Sequence, residues 1–154
     1  TYEFENVDLQ ALEDVQDRVA VPQGTRLLAV TKDRLREKNF IKQLGLQTAP
    51  FRAVKNESEL KSGLVEVGYP AVLKTCQGGY DGKAQLVLQT SADLSKTSEL
   101  LSKGHCILEG WVEFSKECSV MVGRNRRGEV ALFPVSENIH RNQILHESIV
   151  PARI

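Results

Sequence analysis

Between Gln77 and Lys83 the chain places Gly78, Gly79 and Gly82 within five positions, and two strand-like runs flank them: Ala71-Val72-Leu73-Lys74-Thr75 and Gln85-Leu86-Val87-Leu88. Little side-chain bulk stands in such a loop, so backbone N–H groups can converge on an anion, which is how phosphates are cradled. Lys83 adds positive charge to the loop, and Lys74 sits near the end of the preceding strand. Two phosphate loops are excluded. A Walker A motif needs glycine where this chain has Gln77, and serine or threonine where it has Ala84. A dinucleotide fingerprint needs Gly-x-Gly-x-x-Gly opening a helix, whereas here two glycines are adjacent and a strand follows. What is left is a glycine loop between strands, either a flap over phosphates or a solvated hairpin turn.

The remaining elements surround this loop. Alternation of Tyr2 and Phe4 with Glu3 and Glu5 predicts a short strand over residues 1–7. Asp8 is a candidate cap for a helix carrying Leu9, Leu12 and Val15, and Val21-Pro22-Gln23-Gly24 breaks it. A second helix is expected over residues 32–44, with Thr31 as cap and Gly45 as stop. Ala49-Pro50 favours an extended linker, and the main domain boundary is expected within residues 46–51. Asn56-Glu57-Ser58-Glu59 resembles a capping box before Leu60, Leu64 and Val67, with Gly68 ending that helix. Ser91 is expected to cap a helix bearing Leu94 and Leu101, residues 105–112 to form a strand, and residues 117–124 and 129–135 to pair as a hairpin around Asn125-Arg126-Arg127-Gly128. Strand pairs on short loops with helices to one side make the fold class α+β.

Twenty Lys plus Arg balance twenty Asp plus Glu, so no basic excess supports nucleic-acid binding. No apolar run approaches the ~20 residues of a membrane span. Cys76, Cys106 and Cys118 are odd in number and unpaired in spacing, which argues against a disulfide framework and for a reducing, cytoplasmic compartment. No C-x-x-C or H-x-x-x-H pattern is present, and His105 beside Cys106 reads as ordinary strand sequence. Thr1 in place of an initiator methionine and an end just after Pro151-Ala152 suggest a piece cut from a larger protein.

Tyr69-Pro70-Ala71-Val72-Leu73-Lys74-Thr75 followed by Gly79-Tyr80-Asp81-Gly82-Lys83-Ala84-Gln85 resembles the ATP-grasp segment of the 5-(carboxyamino)imidazole ribonucleotide synthetase family. The likeness continues through Asp33-Arg34, Glu37-Lys38, Thr48-Ala49-Pro50, Leu108-Glu109, Glu117-Cys118-Ser119, Glu137-Asn138 and Pro151-Ala152, and it covers essentially the whole chain. Ala84 departs from the family's usual glycine. The resemblance implies an ATP-grasp fold incomplete at both ends: residues 1–30 from the tail of an N-terminal domain, 31–51 a helix and linker, 52–112 the small lobe with its flap, and 113–154 the start of the large lobe.

It also implies ATP and Mg²⁺ as cofactors, bicarbonate and 5-aminoimidazole ribonucleotide as substrates, and a homodimer for the whole protein. Nucleic acid and membrane are not among the partners. Carried over residue by residue, Arg34 and Lys74 would contact ATP, with Lys74 near its phosphates. Gly79, Tyr80, Asp81, Gly82, Lys83, Ala84 and Gln85 would form the flap, and Tyr80, Asp81 and Lys83 would also touch the ribonucleotide. The backbone of Glu109-Gly110-Trp111-Val112 would read adenine, Glu117 would take the ribose hydroxyls, and His140 would lie close to the nucleotide. No metal ligand is assigned within the chain, and the piece alone is expected to be inactive. The bland readings differ in weight. A lysine on an apolar strand is costly unless paired, so Lys74 favours function. Glu109 could face solvent, Arg34 could pair with Glu37 on a helix surface, and Glu117 could be an ordinary hairpin residue. The rival functions are a non-catalytic nucleotide-binding module and an ATP-grasp ligase with another acceptor.

Overall fold

The computed structural model describes residues 1–78 and 84–153, which form two compact units, Thr1–Trp111 and Val112–Ile154. Among the described residues, the larger unit carries five α-helices: α1 (Leu9–Val15), α2 (Arg26–Thr31), α3 (Arg34–Gln43), α4 (Glu57–Val67) and α5 (Ser98–Ser102). Its four strands, β1 (Phe51–Val54), β2 (Ala71–Thr75), β3 (Gln85–Leu88) and β4 (Cys106–Gly110), make one antiparallel sheet in the order β1-β4-β2-β3.

Register divides this sheet into two chemically different faces. Val54 pairs with Cys106, Leu73 with Leu108 and Ala71 with Leu88. These residues are buried, and with Leu60 and Leu64 of α4 and Leu100 of α5 they form the hydrophobic core. Strand side chains alternate between faces, so the opposite face holds Phe51, Val72, Lys74, Ile107 and Glu109. Gly63 lets α4 lie close to the sheet, because a Cβ there would stand 3.1 Å from Leu108 Cδ2.

Several helix limits follow from capping. Asp8 Oδ1 accepts from the Ala11 N–H at 2.9 Å, as the sequence predicts. Asn56 Oδ1 accepts from the Glu59 N–H at 2.9 Å, while Glu59 Oε2 accepts from the Lys55 N–H, and Gly68 ends α4 at φ +83°. Elsewhere the structure corrects the prediction. Residues 1–7 form no strand: Tyr2 is tied to Gln23 and Gly24 by hydrogen bonds, and Phe4 is exposed. The helix expected over 32–44 is α3, but Asp33 rather than Thr31 caps it, its Oδ1 accepting from the Leu35 and Arg36 N–H groups. Thr31 instead ends α2, a separate preceding helix that the sequence reading did not predict, with its hydroxyl on Leu27 O. Thr90, not Ser91, makes the next cap, in a reciprocal box with Asp93, and a 3-10 turn over Ser91–Lys96 precedes the short α5.

The smaller unit holds β5 (Glu117–Ser119), β6 (Val122–Arg124), β7 (Val130–Leu132), β8 (Ser136–Arg141) and β9 (Ile144–Ile149). The hairpin around 125–128 is confined to β6 and β7, and β5 pairs instead with β8, in a sheet of order β5-β8-β9. The β8–β9 hairpin turns at Asn142 and Gln143, both with positive φ (51° and 67°). This conformation suits Asn-Gly; glutamine in the second place hides the turn from a sequence reading. The α+β class stands, and the two compact units divide between Trp111 and Val112.

Candidate functional site: a lysine–carboxylate cluster beside the glycine loop

Lys74 and Glu109 meet on the non-core face of the larger unit's sheet. Glu109 pairs in register with Val72 and Lys74 with Ile107, so the two are diagonal neighbours on adjacent strands. Lys74 Nζ donates to Glu109 Oε2 at 2.9 Å, and Lys38 Nζ from α3 lies 3.4 Å from Oε1. The Glu109 side chain is only 9% exposed, against 19% for Lys38 and 25% for Lys74. A buried carboxylate is tolerated when it is paired and hydrogen-bonded, and here two ammonium groups compensate one negative charge. Glu109 therefore does not face solvent. The desolvation that singled out Lys74 is answered within the chain by Glu109, and the Glu37 carboxylate lies within electrostatic range of both Lys38 and Glu109.

Arg34 works at the base of the glycine loop. Its Nη1 donates to Thr75 O at 2.9 Å and to Gly78 O at 2.7 Å, and its backbone N–H donates to Cys76 O. It is thus not an idle surface cation, and its charge also acts on the Glu37 carboxylate. The Thr75 N–H donates to Ala84 O at 3.1 Å, closing the loop's neck. Gln85 begins β3 opposite Lys74. Gly79, Tyr80, Asp81, Gly82 and Lys83 lie outside the described residues. Beside the neck a cleft of about 380 Å³ is lined by residues including Asp33, Gln77, Ala84, Lys103 and His105, but not by Lys74 or Glu109.

Two backbone donors of the expected adenine-reading segment are already engaged. The Gly110 N–H donates to Pro50 O at 2.8 Å and the Trp111 N–H to Pro70 O at 3.1 Å. Trp111 and Val112 are about half exposed. In the smaller unit, Glu117 and His140 come together on β5 and β8, with Nδ1 3.5 Å from Oε1. The same unit holds an arrangement that sequence reasoning missed. Glu137 accepts from Arg153 Nε at 2.9 Å and Nη2 at 3.1 Å, with Lys116 at 3.6 Å. The Arg153 hydrogen bonds hold the Glu137 carboxyl down at about 2. Its low exposure comes from these covering side chains rather than from a deep core. Two neighbouring residues spelled only Glu137-Asn138 in the sequence, and nothing there pointed to Arg153. Burial is what pushes the Cys76 thiol up to about 11.

The larger unit's antiparallel sheet thus carries a lysine–glutamate pair close to the neck of the glycine loop. A family model for the ATP-grasp domain matches residues 39–154, and the chain belongs to the ATP-grasp family. Within it, the chain is 50% identical over 154 residues to N5-carboxyaminoimidazole ribonucleotide synthase of Bacillus subtilis, covering 100% of this chain and 40% of that protein. Its fold matches the crystal structure of an N5-carboxyaminoimidazole ribonucleotide synthetase in complex with ADP, with TM-score 0.95 and 51% identity over 100% of this chain and 41% of the other. A second match is the ADP complex of the Staphylococcus aureus N5-carboxyaminoimidazole synthetase, with TM-score 0.96 and 39% identity over 100% and 41% of the two chains. The chain thus spans about 40% of the length of the curated relatives it matches.

Proposed function

We propose that this chain supplies the nucleotide-binding part of an N5-carboxyaminoimidazole ribonucleotide synthetase, an ATP-dependent ligase of purine biosynthesis. In this reading, bicarbonate attacks the γ-phosphate of ATP to give carboxyphosphate. The amine of 5-aminoimidazole ribonucleotide is then carboxylated, and ADP and phosphate leave. Residues 52–112 correspond to the small lobe, 113–154 to the start of the large lobe, 31–51 to a helix and linker, and 1–30 to the tail of a preceding domain.

The observation that carries the reading is Lys74, held by the buried Glu109 beside the glycine loop. Its ammonium is oriented before any nucleotide arrives, which reduces the ordering cost of binding. Arg34 contributes by fixing the start of the loop, in addition to its proposed contact with ATP. Gly79, Tyr80, Asp81, Gly82, Lys83, Ala84 and Gln85 are assigned to the flap, with Tyr80, Asp81 and Lys83 toward the ribonucleotide. Adenine is read by the backbone groups of residues 109–112 that are not already paired. Glu117 accepts from the ribose hydroxyls, its carboxylate oriented by His140. Mg²⁺ would neutralise charge on the β- and γ-phosphates. Among the described residues, no group of three His, Cys, Asp or Glu side chains is placed to hold a cation, so none is assigned as its ligand.

The test is phosphate release by the natural gene product supplied with ATP, Mg²⁺ and bicarbonate. Stimulation by 5-aminoimidazole ribonucleotide is expected. Equal stimulation by glycinamide ribonucleotide with formate would point to a ligase with another acceptor. Calorimetric titration with ADP addresses the site: Lys74→Met should lose about 1.5–3 kcal/mol, the size of a charge-assisted hydrogen bond, and unchanged affinity would remove Lys74 from the site.

A further inference from the structure

Glu109 has a second cationic partner that the nucleotide-binding reading leaves without a task. Lys38 reaches Oε1 from α3, while Lys74 occupies Oε2. The Lys38 ammonium also lies 5.9 Å from the centroid of the Phe51 ring, within the range of a cation–π contact. Phe51 is itself the register partner of Glu109 on β1. Lys38 is therefore fixed from two directions, by a carboxylate and by the aromatic ring beside it.

Charge balance shows what this fixing accomplishes. Suppose Glu109 had Lys74 alone. Any turn of the Lys74 ammonium toward a ligand would leave a carboxylate with 9% exposure without a cation, and an uncompensated buried charge is costly. The carboxylate would then grip Lys74 and compete with the ligand for it. With Lys38 on the other oxygen, Glu109 stays compensated while Lys74 shares its protons with a phosphate or a base. These three side chains carry one net positive charge between them, with Glu37 close enough to act on Lys38 and Glu109 as well.

We propose that Lys38 is a positioning residue for nucleotide binding: it neutralises Glu109 so that Lys74 is oriented but remains free to engage the nucleotide. This rests on the reading of Lys74 as a nucleotide ligand. Lys38 acts through Glu109 and does not touch the nucleotide.

The test is a double-mutant comparison by ADP calorimetry on the natural gene product. Lys38→Met should weaken ADP binding by about tenfold, equivalent to about 1.4 kcal/mol, and Lys38→Arg should restore most of the loss. In a Glu109→Gln background, where there is no charge left to neutralise, Lys38→Met should change the affinity by less than about twofold, the scatter of independent sites. A merely structural lysine would weaken binding equally in both backgrounds, and that result would overturn the proposal. So would unchanged affinity in Lys38→Met. If Lys38→Met does not fold, Lys38→Gln carries the same comparison. Lys74→Met separates the two levels: if it weakens binding while the Lys38 variants do not, only the present proposal fails. If Lys74→Met binds ADP as the parent does, the site reading fails and this proposal with it.

Discussion

Lys74 Nζ donates to Glu109 Oε2 at 2.9 Å across 35 positions of sequence. The contact exists because β2 and β4 are antiparallel neighbours whose register sets the two residues diagonally on one face. Cross-strand diagonal pairs lie within reach of long side chains, so a slip of one residue would send one partner to the core face.

Removing the carboxylate should destabilise the larger unit. Glu109→Gln leaves Lys38 and Lys74 without the carboxylate they share. The expected cost is about 2–3 kcal/mol, below the ~3–5 kcal/mol of breaking a fully buried pair, because both ammonium groups still reach water. Denaturant unfolding checks this; a loss under about 0.5 kcal/mol would mean that water already compensates the cluster.

Asp33 should matter beyond its own helix turn. It caps α3 through the Leu35 and Arg36 N–H groups, so Asp33→Ala should cost about 1 kcal/mol of stability. Since α3 carries Lys38, the Lys38–Glu109 contact should loosen as well. Thermal unfolding measures the first effect. Faster hydrogen exchange at Leu35 and Arg36 than in the parent would locate it.

At Gly63 the outcome depends on side-chain size. Alanine gains helix propensity of about 1 kcal/mol, but its Cβ would press on Leu108 Cδ2 at 3.1 Å. Leu108 is fully buried and has little room to yield. Gly63→Ala is therefore expected within about 1 kcal/mol of the parent, because the gain and the crowding offset each other. Gly63→Val should lose about 1–3 kcal/mol by overpacking. Urea midpoints of the two variants test the ordering.

Acid should loosen the smaller unit through Glu137. Its carboxyl is held at about 2 in the folded chain, against an ordinary 4.5, chiefly by the Arg153 hydrogen bonds. Between these values the unfolded chain binds more protons, so stability rises with pH across that window. The contribution is complete above pH 4.5 and is lost as pH falls toward about 2. Carboxyl carbon shifts of Glu137 followed by NMR should report the low value, and Glu137→Gln should flatten the acid dependence of the unit's stability. A carboxyl titrating near its ordinary value would show that the Arg153 contact does not persist in solution.

Local signals in the sequence determined much of this protein. Asp8 and Asn56 placed helix starts, Gly45 and Gly68 placed stops, and the compact run of residues 71–75 identified β2. These features depend on hydrogen bonds and steric limits within a few residues, and are therefore legible from the chain alone. The resemblance singled out Arg34, Lys74, Glu109, Glu117 and His140, but it could not say what each one touches. Tertiary structure decided that β5 joins β8 instead of continuing the hairpin, that Arg34 holds the neck of the glycine loop, that Arg153 covers Glu137, and that Lys38 shares Glu109 with Lys74. Each of these is a contact between segments far apart in sequence. Strand register and the packing of α3 bring the charges together, and the cost of burying Glu109 uncompensated makes their pairing necessary.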